Sequence, residues 1–581
     1  MPISESDCRL HRLGGIQIKI WLARNCTVSH APFLLPWLLM LGVQPPFGRN
    51  YGRSMVISQQ GIAAASQALA SQAGAQTLAE GGSAADAAIA ANAVLGVVEP
   101  MMNGIGGDLF VLYWEARTGS LTGLNASGLA PCALSPEFLK SRGIHSMEDA
   151  GIHGVTVPGA IDGWSRMHGR FGKLPWKSLF RPAIAYAEQG FPVSDIVQKL
   201  WEAAASSGKL HTTAETARVF LPNNCPPHQG KIFRNPDLAR AYRKVAEEGP
   251  GTFYKGQIAD AILATSKAMG GTMTADDLAM FASEWVEPIS IDYRGWRVFE
   301  LPPNGQGMAA LEMLNMMDAR PDDPDGPLSP AEMHYRIEAM KLAYSDVYRY
   351  NGDPRSSHIP VTELLSKQYG RKRAALIDPK RANGEAGHGC PSASDTIYLS
   401  VVDRDGNIAS WIQSNYASFG SGITVEGMGF ELQNRGAGFT LEPGHPNVLA
   451  GGKRPFHTII PGFMQRDNWQ VGFGIMGGAN QPLAHAQFVS NVVDYGMNLQ
   501  EAMEAPRFFK GSADGCDVSI ESRVPIRTIR ELSEMGHVIA ERPHYAQEMG
   551  RGQAVMHDSK TGTNYAASDP RADGAATPEP I

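Results

Sequence analysis

Residues 395–422, DTIYLSVVDRDGNIASWIQSNYASFGSG, decide the fold. Two strand-like runs, TIYLSVVD and IASWIQS, flank Arg404-Asp405-Gly406-Asn407, and an Asp-Gly centre between such runs is a strong hairpin signal. Thr396 heads the first strand. The stretch before it, 351–394, is polar and rich in Gly, Pro and Ser, so it reads as an exposed loop ending at the threonine. A threonine hydroxyl is a poor nucleophile until a base removes its proton, and a newly exposed α-amino group on the same residue can be that base. The arrangement fits a precursor cut just before Thr396, but a threonine opening a strand is common for steric reasons and on its own is weak evidence for a cut.

Upstream, 59–79 (QQGIAAASQALASQAGAQTLA) and 83–97 (SAADAAIAANAVLGV) read as alanine-rich helices, separated by Glu80-Gly81-Gly82 with Ser83 as N-cap. GIGGDLFVLYWEARTGSLTGLNAS, starting at Gly104, then gives a glycine turn, an alternating strand, a second turn and a second strand. Between 175 and 350 the pattern is mainly helical, with apolar residues at helical spacing in PAEMHYRIEAMKLAYSDVYRY and three other segments. Downstream of the hairpin, strands at 469–474 (WQVGFG) and 516–521 (CDVSIE) alternate with helices at 481–494 and 499–505. The whole is an α/β chain without a tandem repeat.

Composition narrows the function. Among 581 residues, 43% are apolar and 19% charged, enough for a substantial core, and the 63 glycines and 39 prolines fit many tight turns. A net charge of -7 without a basic stripe argues against nucleic acid. Cys8, Cys26, Cys132, Cys225, Cys390 and Cys516 form no CxxC pair, which argues against a zinc ribbon or disulfide framework. Residues 1–48 look foreign to the rest. Their apolar run FLLPWLLML (33–41) is too short for a membrane span and contains Pro36. Basic residues precede it, as in a signal peptide, but no clear cleavage site follows; an over-long gene start, with the true one near Met40 or Met55, explains the segment equally well. Localisation stays open, the cytoplasm being slightly favoured over the periplasm or secretion.

Two other chemistries compete. Gly472 to Gly477 spells GxGxxG after a strand and before a helix, with Asp494 near the distance of a ribose-binding acid, the pattern of an NAD-dependent oxidoreductase. Against it, FVSNVVDYG reads as the continuation of a helix, so no parallel strand closes a βαβ unit before Asp494. The 16 histidines include no HExxH, and His334 with Glu338 reads as a surface pair on a helix rather than a ligand set. No metal or other cofactor is expected.

Several separated blocks resemble the γ-glutamyltransferase (γ-glutamyltranspeptidase) family of N-terminal-nucleophile (Ntn) hydrolases. They are GGSAADAAIAANAVLGVVEPMMNGIGGDLF, HGVTVPGAIDGW from His153, the run 395–422, MGGANQPL from Met476, and ASDPRADG from Ala567. The resemblance implies a four-layer αββα sandwich formed jointly by two autocleaved subunits, 49–395 and 396–581, with 1–48 as an extension. It also implies that Thr396 is nucleophile and, through its freed amine, base; such amines titrate near about 7.7 to 8.0. Gly477 and Gly478 would form the oxyanion hole, and Ser414, where the family has threonine, would help hold the amine.

The substrate clamp departs from the family pattern. The arginine, aspartate and serine pair that hold a γ-glutamyl group fall at Ser127, Gly438 and His457-Thr458, and Tyr416 stands where transpeptidases place an asparagine. A charged ligand buried without partners is costly, so strict γ-glutamyl specificity is not expected. Arg435 and His457 are the substitute contacts, with Thr458, Tyr416 and Ser127 around them. The resemblance is to the branch with oxamate amidohydrolases and cephalosporin acylases. The expected activity is hydrolysis, with acyl transfer as a side path, of γ-glutamyl or related carboxylate-bearing amides, or of oxamate-type or cephalosporin-type amides without γ-glutamyl activity. Restoring the clamp by Ser127→Arg with Gly438→Asp would then raise γ-glutamyl turnover.

Overall fold

The computed structural model describes residues 49–385 and 395–581, preceded only by a short ladder of Arg12–Leu13 with Ile16–Gln17. Residues 1–50 form one unit and Tyr51–Ile581 another, and the second carries both large sheets and the site. The signal-like run at 33–41, Cys8, Cys26 and Cys390, and the end of the loop before Asp395 lie outside the described residues. Cys132, Cys225 and Cys516 are free thiols.

The elements that position the site are, in chain order, helices α1 (Ala68–Ala79) and α2 (Ala84–Val98), strand β1 (Asp108–Glu115), helices α3 (Gly307–Met317) and α4 (Pro330–Tyr350), strands β2 (Asp395–Val402), β3 (Ile408–Tyr416) and β4 (Trp469–Met476), and helix α5 (Gln481–Val493). Two seven-stranded antiparallel sheets carry them. The first runs Ala575–Pro578, Ile62–Ala65, β2, β3, β1, Ser120–Ala126, Glu284–Val286. The second runs Ile289–Tyr293, Trp296–Glu300, Gly462–Arg466, β4, Arg551–Asp558, Thr563–Ser568, Val56–Ser58.

Helices α1 and α2 cover the first sheet; α3 and α5 cover the second, with α4 packed on α3. Small side chains make the first layer possible. A Cβ on Gly74 would lie 2.7 Å from that of Ala63, and every residue of α2 is buried. Ser83 and Asp86 close a capping box at the start of α2, satisfying backbone donors that burial would otherwise strand. Between the sheets, Ser400 Oγ donates to the Gly472 carbonyl at 3.2 Å, and a Cβ on Gly474 would lie 2.4 Å from the Tyr398 ring. The order is helix, sheet, sheet, helix, the αββα sandwich expected.

Several expectations need correction. The segment 59–79 is not one helix. Ile62–Ala65 is a strand paired with β2, and helix α1 begins only at Ala68, where the Gln67 side chain accepts from the Leu69 amide at 2.6 Å. Alanine suits either state, and the vacant sheet edge beside β2 decides. The loop 351–394 contains two short helices, Val361–Leu364 and Lys367–Ala374.

The GxGxxG at 472–477 is no nucleotide loop. Gly472 and Gly474 lie inside antiparallel β4, where they let the facing sheet approach, and Asp494 Oδ2 accepts from the Tyr293 hydroxyl at 2.6 Å. The dinucleotide reading is therefore set aside. Among the described residues no helix is long and apolar enough to cross a membrane.

Candidate active site

Strands β2 and β3 lose register where the proposed junction lies. Asp395 pairs with Tyr416 and Ile397 with Gln413, so Ser414 and Asn415 together face Thr396 alone. Such a bulge re-aims a side chain. Here it brings Ser414 to the fully buried threonine, whose Oγ1 donates to Ser414 Oγ at 3.1 Å. Ser414 Oγ also accepts from the Tyr416 amide at 2.8 Å and from Arg435 Nη2 at 3.1 Å. A hydroxyl oxygen has two lone pairs. Three donors share them, so Ser414 orients Thr396 and is a poor acceptor of its proton.

Arg435 is completely buried. Its Nη1 donates to Thr458 Oγ1 at 2.8 Å, its guanidinium sits 4.4 Å from the Tyr416 ring centre, and its Nε is 3.9 Å from Asp108 Oδ2. Burial draws its pKa down to about 10, against the pull of Asp108, so the cation persists at neutral pH. Asp108, at the head of β1, is the residue that sequence reasoning missed. Its Oδ1 accepts from the Gly128 amide at 3.0 Å and its Oδ2 lies 3.1 Å from His457 Nε2. Burial pushes this carboxyl up to about 7, opposed by Arg435.

His457 Nδ1 accepts from the Ile459 amide at 3.3 Å, so the ring hydrogen is assigned to Nε2, where it serves Asp108. Burial, with Arg435 and Arg454 adding to it, holds the ring well below its usual pKa, hence neutral. Both nitrogens are thus committed inside the protein. Ser127 belongs to a neighbouring amide network. Its Oγ accepts from Asn304 Nδ2 at 3.0 Å and its carbonyl from Arg454 Nε at 3.1 Å.

The glycine pair follows from how the sheets face each other. Ser400 meets Gly472 and Tyr398 meets Gly474. The two-residue alternation of strands carries that series to Thr396 and the end of β4. There Gly477 has φ 146° and Gly478 φ 60°, conformations that side-chain-bearing residues rarely adopt. Gln306 Nε2 fixes the turn by donating to the carbonyls of Thr458 at 2.6 Å and Gly478 at 2.9 Å, and the Tyr344 hydroxyl donates to that of Ala479.

A cavity of about 840 Å³ opens beside this cluster, lined by Met147, Tyr348, Tyr416, Gly438, Phe439 and Phe456 among others. Tyr416 and Gly438 thus both form its wall. A Cβ on Gly438 would lie 2.6 Å from the Phe456 carbonyl oxygen, so an aspartate there needs the backbone to move. The expectation that Gly438→Asp restores the clamp is corrected accordingly.

His334 and Glu338 are buried, not a surface pair. His334 Nε2 donates to the Asp378 carbonyl at 2.7 Å, leaving Nδ1 to accept from His537 Nε2 at 2.8 Å, while Lys341 Nζ donates to Glu338 at 2.7 Å. Among the described residues this is the one grouping with metal-ligand spacing. Lys341 already supplies its positive charge.

Of the sequence candidates, the structure brings together Thr396, Ser414, Tyr416, Arg435, His457 and Thr458, and sets Ser127 one network away. Asp108, Gln306 and Asn304 complete the framework. The only signal for Asp108 was an acid directly after a glycine turn in GIGGDLF, which a strand start explains as well.

Facing antiparallel sheets between helical layers, with a buried threonine hydroxyl near the head of a central strand, are the arrangement of an Ntn-type amidohydrolase. The chain belongs to the γ-glutamyltranspeptidase family, whose model, described as Gamma-glutamyltranspeptidase, matches residues 70–579. It is 34% identical over 515 residues to the glutathione hydrolase-like YwrD proenzyme of Bacillus subtilis, covering 87% of this chain and 96% of that protein. It is 32% identical to the oxamate amidohydrolase proenzyme of Klebsiella pneumoniae, covering 90% and 98%. The crystal structure of a cephalosporin acylase from Bacillus halodurans superposes with a TM-score of 0.86 at 40% identity, covering 92% and 98%.

Proposed function

We propose that this chain is a precursor that cuts itself between Asp395 and Thr396, and that the resulting heterodimer of 49–395 and 396–581 hydrolyses small amides whose acyl group carries a carboxylate. The observation that carries this reading is the Thr396 hydroxyl bonded to a Ser414 that Arg435 and the Tyr416 amide hold in place. In maturation, Thr396 Oγ attacks the Asp395 carbonyl carbon, its proton passes to the Thr396 nitrogen, and the peptide bond gives way to an ester. Water then cleaves the ester, restoring the Thr396 hydroxyl beside the α-amine that the shift released and leaving the α-carboxylate of Asp395. In turnover that amine takes the Oγ proton as Oγ attacks the substrate amide, and delivers it to the departing nitrogen. Water, activated by the same amine, releases the acid. The amides of Gly477 and Gly478 face the oxyanion; one such donor is typically worth about 2.7 to 4 kcal/mol.

Arg435 is the proposed receiver of the substrate carboxylate, since its Nε makes no hydrogen bond and a single side chain separates it from the nucleophile. Thr458 and Tyr416 border that position, whereas His457 acts through Asp108. Ser127 and the crowding that a side chain at Gly438 would meet favour a second reading of the substrate over γ-glutamyl amides: oxamate-type or cephalosporin-type amides, as the names of two relatives suggest.

A panel of γ-glutamyl p-nitroanilide, oxamate and an acyl cephalosporin, quenched in acid and mapped by mass spectrometry, tests this. At least one substrate should be turned over and leave its acyl group on the Thr396 peptide. An adduct on another residue, or a fully cut enzyme inert to all three, contradicts the reading.

A further inference from the structure

Asp108 and Arg435 are both fully buried, yet their ion pair is not closed. The guanidinium spends Nη1 on Thr458 and Nη2 on Ser414, and its Nε stops 3.9 Å from Asp108 Oδ2, too far for a hydrogen bond. Asp108 is held instead by the Gly128 amide and by neutral His457. The other charged or titratable groups within its electrostatic reach are Arg454, which is paired with Glu284 at 2.7 Å, and Tyr254. One cation thus balances one anion to which it makes no hydrogen bond, both side chains being fully buried. A second carboxylate arriving at Arg435 would leave two anions on that cation, and close buried carboxylates cannot both remain ionised.

We propose that a substrate carboxylate replaces Asp108 as the counter-ion of Arg435, and that Asp108 takes up one proton from solvent as the substrate binds. This inference rests on the reading of Arg435 as the carboxylate's receiver. Asp108 is then a specificity-determining residue. It sets a cost on admitting an anion to Arg435 that an uncharged ligand does not meet and that grows as Asp108 ionises, without touching the reacting carbonyl. Its carboxyl, pushed up to about 7 by burial, is poised for the exchange near neutrality. His457 stays neutral above that and Arg435 charged.

The experiment is competitive inhibition of the processed enzyme by acetate and by acetamide from about pH 5.5 to 8.5. The freed Thr396 amine titrates in the same window, near about 7.7 to 8.0, and affects both ligands. The ratio of the two inhibition constants isolates the charge-linked step. Acetate-to-acetamide ratios should be level below about pH 7 and rise about tenfold per pH unit above it, as one-proton linkage requires. Asp108→Asn should flatten the ratio and bind acetate more tightly than wild type at pH 8. A level wild-type ratio overturns the proposal, and so does a slope that survives in Asp108→Asn. Arg435→Lys separates the two layers. Acetate binding unchanged in that variant removes the Arg435 reading itself, and the proposal with it; weakened acetate binding beside a level wild-type ratio leaves Arg435 in place and removes only the proton exchange. Should either variant fail to mature, the wild-type ratio alone still decides the proton exchange.

Discussion

Three donors converge on Ser414 Oγ: the Thr396 hydroxyl, the Tyr416 amide and Arg435 Nη2. Ser414→Ala removes the oxygen and leaves two N–H donors and the nucleophile without it. A lost hydrogen bond of this kind costs about 1 to 3 kcal/mol, or roughly 5- to 150-fold in rate. Both maturation and kcat should fall within that range, with KM little changed, and Ser414→Thr should recover most of the loss. An alanine variant that matures and turns over at the wild-type rate would remove Ser414 from the account. At this scale the sequence was informative wherever chemistry sits in one run, as with Thr396, Ser414 and Tyr416. It was silent about Asp108, whose histidine partner is 349 residues away. Arg435 and His457 stood out as side chains, but their roles depend on what faces them. His457, bonded to Asp108 and to the Ile459 amide, is proposed as a brace rather than a substrate contact.

The turn after β4 illustrates the same dependence for an element. The letters GxGxxG suit a nucleotide loop or a tight antiparallel strand, and what separates them is the neighbouring strand, which local pattern does not contain. Gly472 and Gly474 serve sheet packing, whereas Gly477 serves the turn. Its φ of 146° and the 3.2 Å between an added Cβ and Gly550 Cα leave little room for a side chain. Gly477→Ala should therefore move the amides of the turn and cost about 10²- to 10³-fold in kcat, the loss of one oxyanion donor. Steady-state kinetics beside a thermal melt would check it. Unchanged kcat in a normally folded variant would place the oxyanion elsewhere. The alanine run at 62–65 failed as a helix for a related reason, because a short apolar stretch carries no period and takes the state its sheet offers.

Over the whole molecule, the proposed cut divides the sequence but not the sheets. Strands β2 and β3, downstream of the junction, lie between Ile62–Ala65 and β1, which precede it, while Ala575–Pro578 pairs with Ile62–Ala65 from the far end of the chain. Separating the fragments would break ladders on both flanks of the central pair, so the mature enzyme should remain one body in native conditions. The αββα sandwich was legible through the family resemblance that the sequence blocks carry, and they fall on helix α2, strands β1 to β3 and the turn after β4 among other elements. The cavity beside the site was less legible, because its wall is assembled from positions as distant as Met147, Tyr348 and Tyr416.

Everything rests on Thr396 being released as a new N-terminus by its own hydroxyl. Intact-mass analysis of purified protein under denaturing conditions tests this most directly. Wild type should give two fragments, the smaller running from Thr396 to Ile581, and Thr396→Ala a single uncut chain. A wild-type protein that hydrolyses its amide substrate while remaining one uncut chain would contradict the account.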